Sequence, residues 1–258
     1  VLASYGALFT LWSISLFVLV PVPVNLILTS SLILYIGCHR SLRMRDKSSA
    51  TAEESETISS EEAMKFPVIG SCVLFGLYLL FKFLDKSLVN LLLAAYFAVI
   101  GTLALAATLN PIIIQFVGEV RSRLRRRGRK HKLPLVGEVD LTFTLTELLS
   151  LAVGIAFSAV YLKTRHWAMN NIFGMTFCVQ AMERISLGSF KVGCILLMGL
   201  FVYDVFWVFG GPVMESVAKN VDGPIKILFM ISWGDPSADP PVKASHSMLG
   251  LGDIVVPG

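Results

Sequence analysis

Two aspartates are the residues of this chain whose type and surroundings point to chemistry. Asp204 is the one charged residue in the apolar stretch Val192–Met214, and Asp253 follows Gly250 and Gly252 in a second apolar run. If the first stretch is a helix, Asp204 lies roughly 18 Å from its start, near the middle of a hydrocarbon core about 30 Å thick. An ionised carboxylate at that depth costs at least about 2.5–3.5 kcal/mol, so both aspartates are candidate functional residues.

Paired carboxylates are able to hydrolyse a peptide bond. Two carboxylates held close together cannot both ionise, so they share one proton. The ionised partner takes a proton from water, and the protonated partner donates to the scissile carbonyl oxygen. This chemistry needs no metal and no cofactor, and the sequence predicts neither. Taken alone, an intramembrane aspartate more often makes a polar contact between helices or couples ions in a transporter, whereas the pair favours hydrolysis.

Composition places these aspartates in a membrane protein. Of 258 residues, 55% are hydrophobic and 16% are charged, against about 25% charged in soluble domains. We therefore predict a single all-α polytopic membrane domain over residues 1–258. The net charge of +4 is concentrated in two loops, which indicates topology rather than nucleic-acid binding. The four cysteines have no metal-ligand spacing, and we expect no disulfide framework.

Seven apolar runs predict membrane spans, the last of them incomplete. They are residues 1–38, 66–81, 87–118, 148–162, 167–182, 192–214 and the run that begins near residue 244. Two interpretations of residues 1–38 stay open: one long span kinked at Pro21 and Pro23, or an apolar leader followed by a span over about Val24 to Cys38. The alternation in residues 133–147 is typical of a hairpin or of a lead-in to the next helix.

Basic residues predict the topology. The clusters at 39–47 and 121–132 follow the first and third predicted spans, so they lie on the same side of the membrane, which the positive-inside rule makes cytoplasmic. We therefore expect cytoplasmic loops at 39–65 and 119–147, a lumenal connector at 215–245 and a lumenal N-terminus.

The motifs around the two aspartates resemble those of the signal peptide peptidase family, which are presenilin-type GxGD intramembrane aspartyl proteases. The match is carried by Tyr203-Asp204 and by the Leu-Gly-Leu-Gly-Asp segment that ends at Asp253. Three further stretches are similar to that family: Phe66–Phe83, Arg165–Thr176 and Pro224–Phe229.

The resemblance implies a nine-helix fold, of which about seven helices are present here. It implies that Asp204 and Asp253 are catalytic, with Tyr203, Gly250, Leu251 and Gly252 as motif positions beside them. It also implies a multi-pass protein of the endoplasmic reticulum membrane that cleaves helices of type II orientation, such as remnant signal peptides. The implied partners are these substrate helices and the lipid bilayer, with a homo-oligomer or a quality-control complex as further partners.

One motif of the family is not in this chain. The family carries Pro-Ala-Leu in its last helix, and this sequence has no such motif. We therefore expect a chain truncated before the last two helices and inactive as it stands. The alternative is a non-proteolytic membrane protein that uses the same pair, as an ion or proton pathway or as a factor that binds membrane helices.

Overall fold

A computed structural model describes residues 2–51, 57–117, 127–128, 131–133, 137–139, 142–143, 145–185, 187, 189–234 and 244–256. Within these ranges the helices are α1 Leu2–Ser15, α2 Val22–Thr51, α3 Ser60–Phe83, α4 Lys86–Val117, α5 Leu145–Thr164, α6 Trp167–Arg184, α7 Phe190–Phe209, α8 Val213–Asn220 and α9 Gly252–Val255. The strands are β1 Arg127–Gly128, β2 His131–Leu133, β3 Gly137–Val139, β4 Thr142–Phe143, β5 Lys226–Ser232 and β6 Ser245–Gly250.

Five of the described helices are long and apolar enough to cross a membrane. The spans are Val22–Asp46, Ser60–Phe83, Lys86–Gln115, Thr146–Thr164 and Phe190–Phe209. The prediction of an all-α polytopic membrane protein is thereby confirmed. Two of the seven predicted spans are not among these five. One is α6, which is less apolar, and the other is the segment before Asp253, which is not a helix.

Helix α6 is the centre of the bundle rather than a lipid-facing span. Eleven of its 18 residues are buried, whereas α7 has two buried residues. The buried set of α6 includes the polar side chains of Asn170, Asn171 and Gln180. Polar groups of this kind are stable within a membrane only where protein satisfies them, so these residues face neighbouring elements.

The first 38 residues form two helices, which favours the interpretation as an apolar leader followed by a span. Helix α1 has 14 residues and is therefore roughly 21 Å long, shorter than the hydrocarbon core. It runs antiparallel to α2, because Tyr5 contacts Arg40 near the end of that span, while Trp12 lines one cavity with Asn25 and Thr29 near its start.

The apolar run before Asp253 was expected to begin a membrane helix near Ala244, and for residues 245–250 that expectation is wrong. These residues form β6, which pairs antiparallel with β5 in a register that sets Lys226 opposite Gly250 and Phe229 opposite Ser247. Pairing with β5 satisfies the backbone groups on one edge of this segment, in which Gly250 disfavours a helix. The predicted connector 215–245 accordingly contains β5 and most of α8.

Other boundaries also shift relative to the sequence prediction. A capping box between Ser59 and Glu62 starts α3 at Ser60, six residues before the predicted span. Helix α2 continues through the basic cluster to Thr51, so the predicted loop at 39–65 is partly helical. In the predicted loop at 119–147, β1 pairs with β4 and β2 with β3, which favours the hairpin interpretation.

Candidate active site

Asp204 is carried by α7, closer to the end of the helix than the sequence predicts. The helix begins at Phe190 and ends at Phe209, where the Gly210 N–H donates to the Phe206 carbonyl. Asp204 therefore lies roughly 21 Å from the start of a helix about 30 Å long. Its side chain is exposed on the surface of the described structure.

Close contact with α3 fixes how α7 is placed. A Cβ added at Gly199 would lie 2.8 Å from Cγ of Pro67, so the two helices approach closely at this point. The ring of Tyr203, directly before Asp204, packs 3.6 Å from where a Cβ of Gly70 would stand. Small residues at this interface allow the helix backbones to approach, which is how helices gain contact area in a membrane.

A hydrogen bond supports the same interface. The indole Nε1 of Trp207 donates to Ser71 Oγ at 3.0 Å, and the Ser71 hydroxyl donates to the Pro67 carbonyl at 2.8 Å. Trp207 lies three residues after Asp204 and therefore holds the half of α7 that carries the aspartate. Nothing in the sequence identifies Ser71 as the partner of this tryptophan.

Asp253 stands in the first turn of α9, directly after the β5–β6 pair. The Leu251 N–H donates to the Ile225 carbonyl at 3.2 Å, and Ile254 is buried in the main core. A Cβ at Gly250 would lie 3.1 Å from Asp253 Oδ2, so glycine leaves room for the carboxylate. A Cβ at Gly252 would meet no described atom within 4 Å, so packing does not account for that glycine.

Two asparagines of α6 hold strand β5, and sequence reasoning missed their role. Asn171 donates through Nδ2 to the Leu228 carbonyl at 2.7 Å and accepts from the Leu228 N–H at 2.8 Å. Asn170 donates to the Lys226 carbonyl at 3.1 Å. Side-chain amides thus take the place of a third strand on the outer edge of β5. The available signal was an Asn-Asn pair within a stretch that the sequence predicted to span the membrane.

Gly174, about one turn after Asn171 in α6, allows the Gly-Leu-Gly-Asp segment to pack closely against this helix. A Cβ at this position would lie 3.3 Å from Cδ2 of Leu251 and 3.5 Å from Cγ1 of Ile227. Leu251 packs against the core cluster that contains Cys178 and Ile227. Leu251 therefore anchors the segment, and Asp253 follows two residues later on its exposed side.

The fold brings the two aspartates close to one another. Val256 packs against the cluster of Ala63, Val192 and Leu196, which joins the end of α9 to α7. The carboxylates of Asp204 and Asp253 are close enough to repel each other electrostatically. Neither carboxylate forms a hydrogen bond or an ion pair with another residue of the described ranges, so both are available to a ligand.

His246 precedes Asp253 in the sequence and lies in a different environment. It lies in β6 opposite Met230, with its ring centroid 5.7 Å from that of Trp167. Burial, with a contribution from His166, lowers the pKa of His246, and its Nε2 is buried without a partner among the described residues. No group of three or more His, Cys, Asp and Glu side chains in the described ranges is arranged to hold a metal ion.

A family model described as signal peptide peptidase matches residues 50–258. The chain belongs to the signal peptide peptidase family. It is 39% identical over 243 residues to a signal peptide peptidase of Mus musculus and 37% identical over 240 residues to one of Homo sapiens. Each alignment covers 91% of this chain and 62% of the relative.

Two further relatives match different shares of the chain. Signal peptide peptidase-like 1 of Oryza sativa subsp. japonica is 30% identical over 96% of this chain and 72% of its own length. Intramembrane protease 2 of Caenorhabditis elegans is 54% identical over 99 residues, which are 38% of this chain. No solved structure matches the chain. This chain therefore spans about 62% of the length of the mouse and human relatives.

Proposed function

We propose that this member of the signal peptide peptidase family is an intramembrane aspartic endopeptidase in which Asp204 and Asp253 share the catalytic work. The observation that carries the proposal is the approach of two exposed, unpaired carboxylates from α7 and α9. A purely structural pair would be expected to have hydrogen-bond partners, since an unsatisfied polar group in an apolar environment is costly.

The proposed reaction divides the work between the two carboxyl groups. The ionised group takes a proton from a water molecule, whose oxygen attacks the scissile carbonyl carbon, and the protonated group donates its proton to the carbonyl oxygen. In the second step the C–N bond breaks, and the leaving nitrogen receives the proton that the base had taken. One hydroxyl of the gem-diol returns its proton to the other carboxylate as the carbonyl re-forms, which restores the proton shared by the pair. Water reaches the pair through their exposed sides, so the step needs neither a metal nor a covalent intermediate.

The β5–β6 pair offers a way to present the substrate. Asn171 occupies the outer edge of β5, whereas the outer edge of β6 has no partner strand among the described residues. A substrate helix must unwind before its peptide bond becomes accessible, because its carbonyls are hydrogen-bonded within the helix. A segment that unwinds near Asp253 could pair with β6 as an added strand and so regain its backbone hydrogen bonds.

The substrate class rests on the family. Relatives are named signal peptide peptidases, and we propose remnant signal peptides and other helices of type II orientation as substrates. We place the protein in the endoplasmic reticulum membrane on the same ground. A homo-oligomer and a quality-control complex stay predictions.

We propose that the basic segments at 39–47 and 121–132 face the cytoplasm, with α2 entering from the lumenal side. The lumenal N-terminus was predicted for a single span in residues 1–38. Helix α1 folds back along α2, so Leu2 lies at the same end of the bundle as Arg40. The lumenal position therefore applies to the start of α2 and not to Leu2.

The test is a cleavage assay in liposomes with a labelled helical signal peptide. The chain is assayed by itself and as a chimera completed with the parts of the mouse relative that it does not cover. We expect Asp204→Asn and Asp253→Asn each to lower the cleavage rate by about 10²- to 10⁴-fold, since each removes one proton-transfer group. The matched control Asp46→Asn removes an exposed carboxylate from the end of α2 and should leave the rate unchanged.

The double variant sharpens the test. If the two groups act on one step, Asp204→Asn combined with Asp253→Asn should be little slower than either single variant. Cleavage by the chimera that persists without Asp204 would show that the pair is structural or part of an ion pathway. Cleavage by the chain alone would overturn the expectation that it is inactive as it stands.

A further inference from the structure

An open cavity of about 130 Å³ lies at one end of the bundle, where α1, α2, α4 and α6 meet. Its wall combines basic side chains of α2, chiefly Arg40 and Arg43, with the apolar side chains of Met44 and Ile112. No residue of α7 or α9 lines it. The proposed protease reaction therefore does not use this cavity, and binding of a ligand there is independent of that function.

Arg40 is held rigidly in the cavity wall. Its guanidinium forms an ion pair with Glu183 at 2.6 Å and donates to Tyr5 Oη at 3.1 Å and to the Ala107 carbonyl at 3.4 Å. A guanidinium carries five N–H donors, so these described partners leave two of them for a ligand. A planar donor group fixed in this way matches the oxygens of a phosphate.

Arg43 adds a second positive charge on the same face of α2. It lies three residues after Arg40, so the two side chains are neighbours on the helix, and it is exposed without an ion-pair partner among the described residues. Against the two arginines the wall holds one carboxylate, that of Glu183, so the cavity keeps an excess of positive charge.

The depth of the cavity in the membrane indicates which phosphate-containing molecule can reach it. Arg40 and Arg43 lie in the last part of the span Val22–Asp46, and Ile112 lies in the last part of the span Lys86–Gln115. The mouth is therefore at the border between the hydrocarbon core and the headgroups, with basic groups beside apolar ones. Basic pockets between membrane helices at this depth suit anionic headgroups.

We propose that this cavity binds a phosphate group, and that an anionic membrane phospholipid supplies it. Arg43 and the two remaining N–H groups of Arg40 contact the phosphate, while Met44 and Ile112 contact the first methylene groups of an acyl chain.

The experiment measures binding to the purified chain in detergent by native mass spectrometry, which resolves individual adducts. The probes are dioleoyl phosphatidic acid, dioleoyl phosphatidylcholine and inorganic phosphate. The variant is Arg43→Gln, which removes an exposed charge, and the matched control is Arg184→Gln, which removes an exposed charge at the end of α6 outside the cavity wall. Thermal unfolding without lipid verifies that both variants are folded.

We expect phosphatidic acid to bind more tightly than phosphatidylcholine and Arg43→Gln to weaken its binding about fivefold, which corresponds to about 1 kcal/mol per basic contact. Arg184→Gln should bind phosphatidic acid like the original chain. If inorganic phosphate binds with the same dependence on Arg43 and the acyl chains add nothing, the phosphate site stands and the lipid assignment is overturned. Equal losses in both variants, or none in Arg43→Gln, would overturn the site itself.

Discussion

At the scale of single residues, Gly174 decides how closely the Gly-Leu-Gly-Asp segment approaches α6. The nearest atoms to an added Cβ belong to Leu251, which lies two residues before Asp253, and to Ile227 of β5. Gly76 of α3 is a contrasting helical glycine, because a Cβ there would meet nothing within 4 Å. Substituting each glycine in turn therefore distinguishes the effect of crowding from the effect of losing a glycine in a helix.

We predict that Gly174→Val destabilises the protein by about 1–3 kcal/mol, the usual cost of overpacking a filled core. Gly76→Val should change stability by less than about 0.5 kcal/mol, since a side chain there enters open space and valine is no worse than glycine in a helix. Thermal unfolding in detergent gives both values, and cleavage by the chimera should fall in Gly174→Val alone. A loss of stability in Gly76→Val equal to that in Gly174→Val would contradict the crowding argument.

At the scale of elements, the position of Asp253 depends on a strand pair that is docked on a helix by side-chain amides. Asn171 satisfies both backbone groups of Leu228, and Asn170 satisfies the carbonyl of Lys226. Strand β5 is thus paired on both edges, by β6 on one side and by α6 on the other. Asn90 forms a comparable arrangement elsewhere, since it donates to the Asn220 carbonyl and accepts from the Asp222 N–H.

We predict that Asn171→Ala loosens β5, because the N–H and carbonyl of Leu228 lose their partner at a cost of about 1–3 kcal/mol for each unsatisfied group. Hydrogen exchange at the Leu228 amide should accelerate by at least about tenfold, since 1.4 kcal/mol corresponds to that factor. In the control Asn90→Ala, exchange should accelerate at Asp222 and stay unchanged at Leu228. Unchanged exchange at Leu228 in Asn171→Ala would mean that β6 alone holds the strand.

At the scale of the whole molecule, one ion pair joins four helices. Arg40 of α2 pairs with Glu183 of α6 and also contacts Tyr5 of α1 and the Ala107 carbonyl of α4. The two charged side chains keep only 12% and 13% of their surface exposed. The pair Lys219–Glu215 in α8, with 69% and 68% exposed, is the matched case without burial.

We predict that Arg40→Gln and Glu183→Gln each destabilise the protein by about 3 kcal/mol, because each leaves a largely buried charge without its partner. The double variant should cost clearly less than the sum, with a coupling energy of more than about 1 kcal/mol. Lys219→Gln should cost less than about 1 kcal/mol, as is usual for an exposed pair. Additive losses in the Arg40 and Glu183 cycle, measured by thermal unfolding, would show that the two residues stabilise the bundle separately.

The membrane spans and the family motifs could be predicted, because they depend on composition and on short sequence patterns. Long apolar runs predicted the spans over α3, α4, α5 and α7, and the Tyr-Asp and Gly-Leu-Gly-Asp motifs indicated the family, which the comparisons confirm. The two aspartates stood out because a charge in an apolar run is costly wherever the helix lies. These inferences need no knowledge of which elements touch.

Tertiary contacts decided the features that the sequence left open or predicted wrongly. Residues 245–250 are a strand because β5 lies beside them and satisfies the backbone groups on one of their edges. Strand β5 is in turn held by the Asn171 side chain of a different element, α6. Helix α6 is central rather than lipid-facing because its polar residues find partners in its neighbours. The approach of Asp253 to Asp204 likewise depends on contacts between elements distant in sequence, which apolar periodicity along one element does not encode.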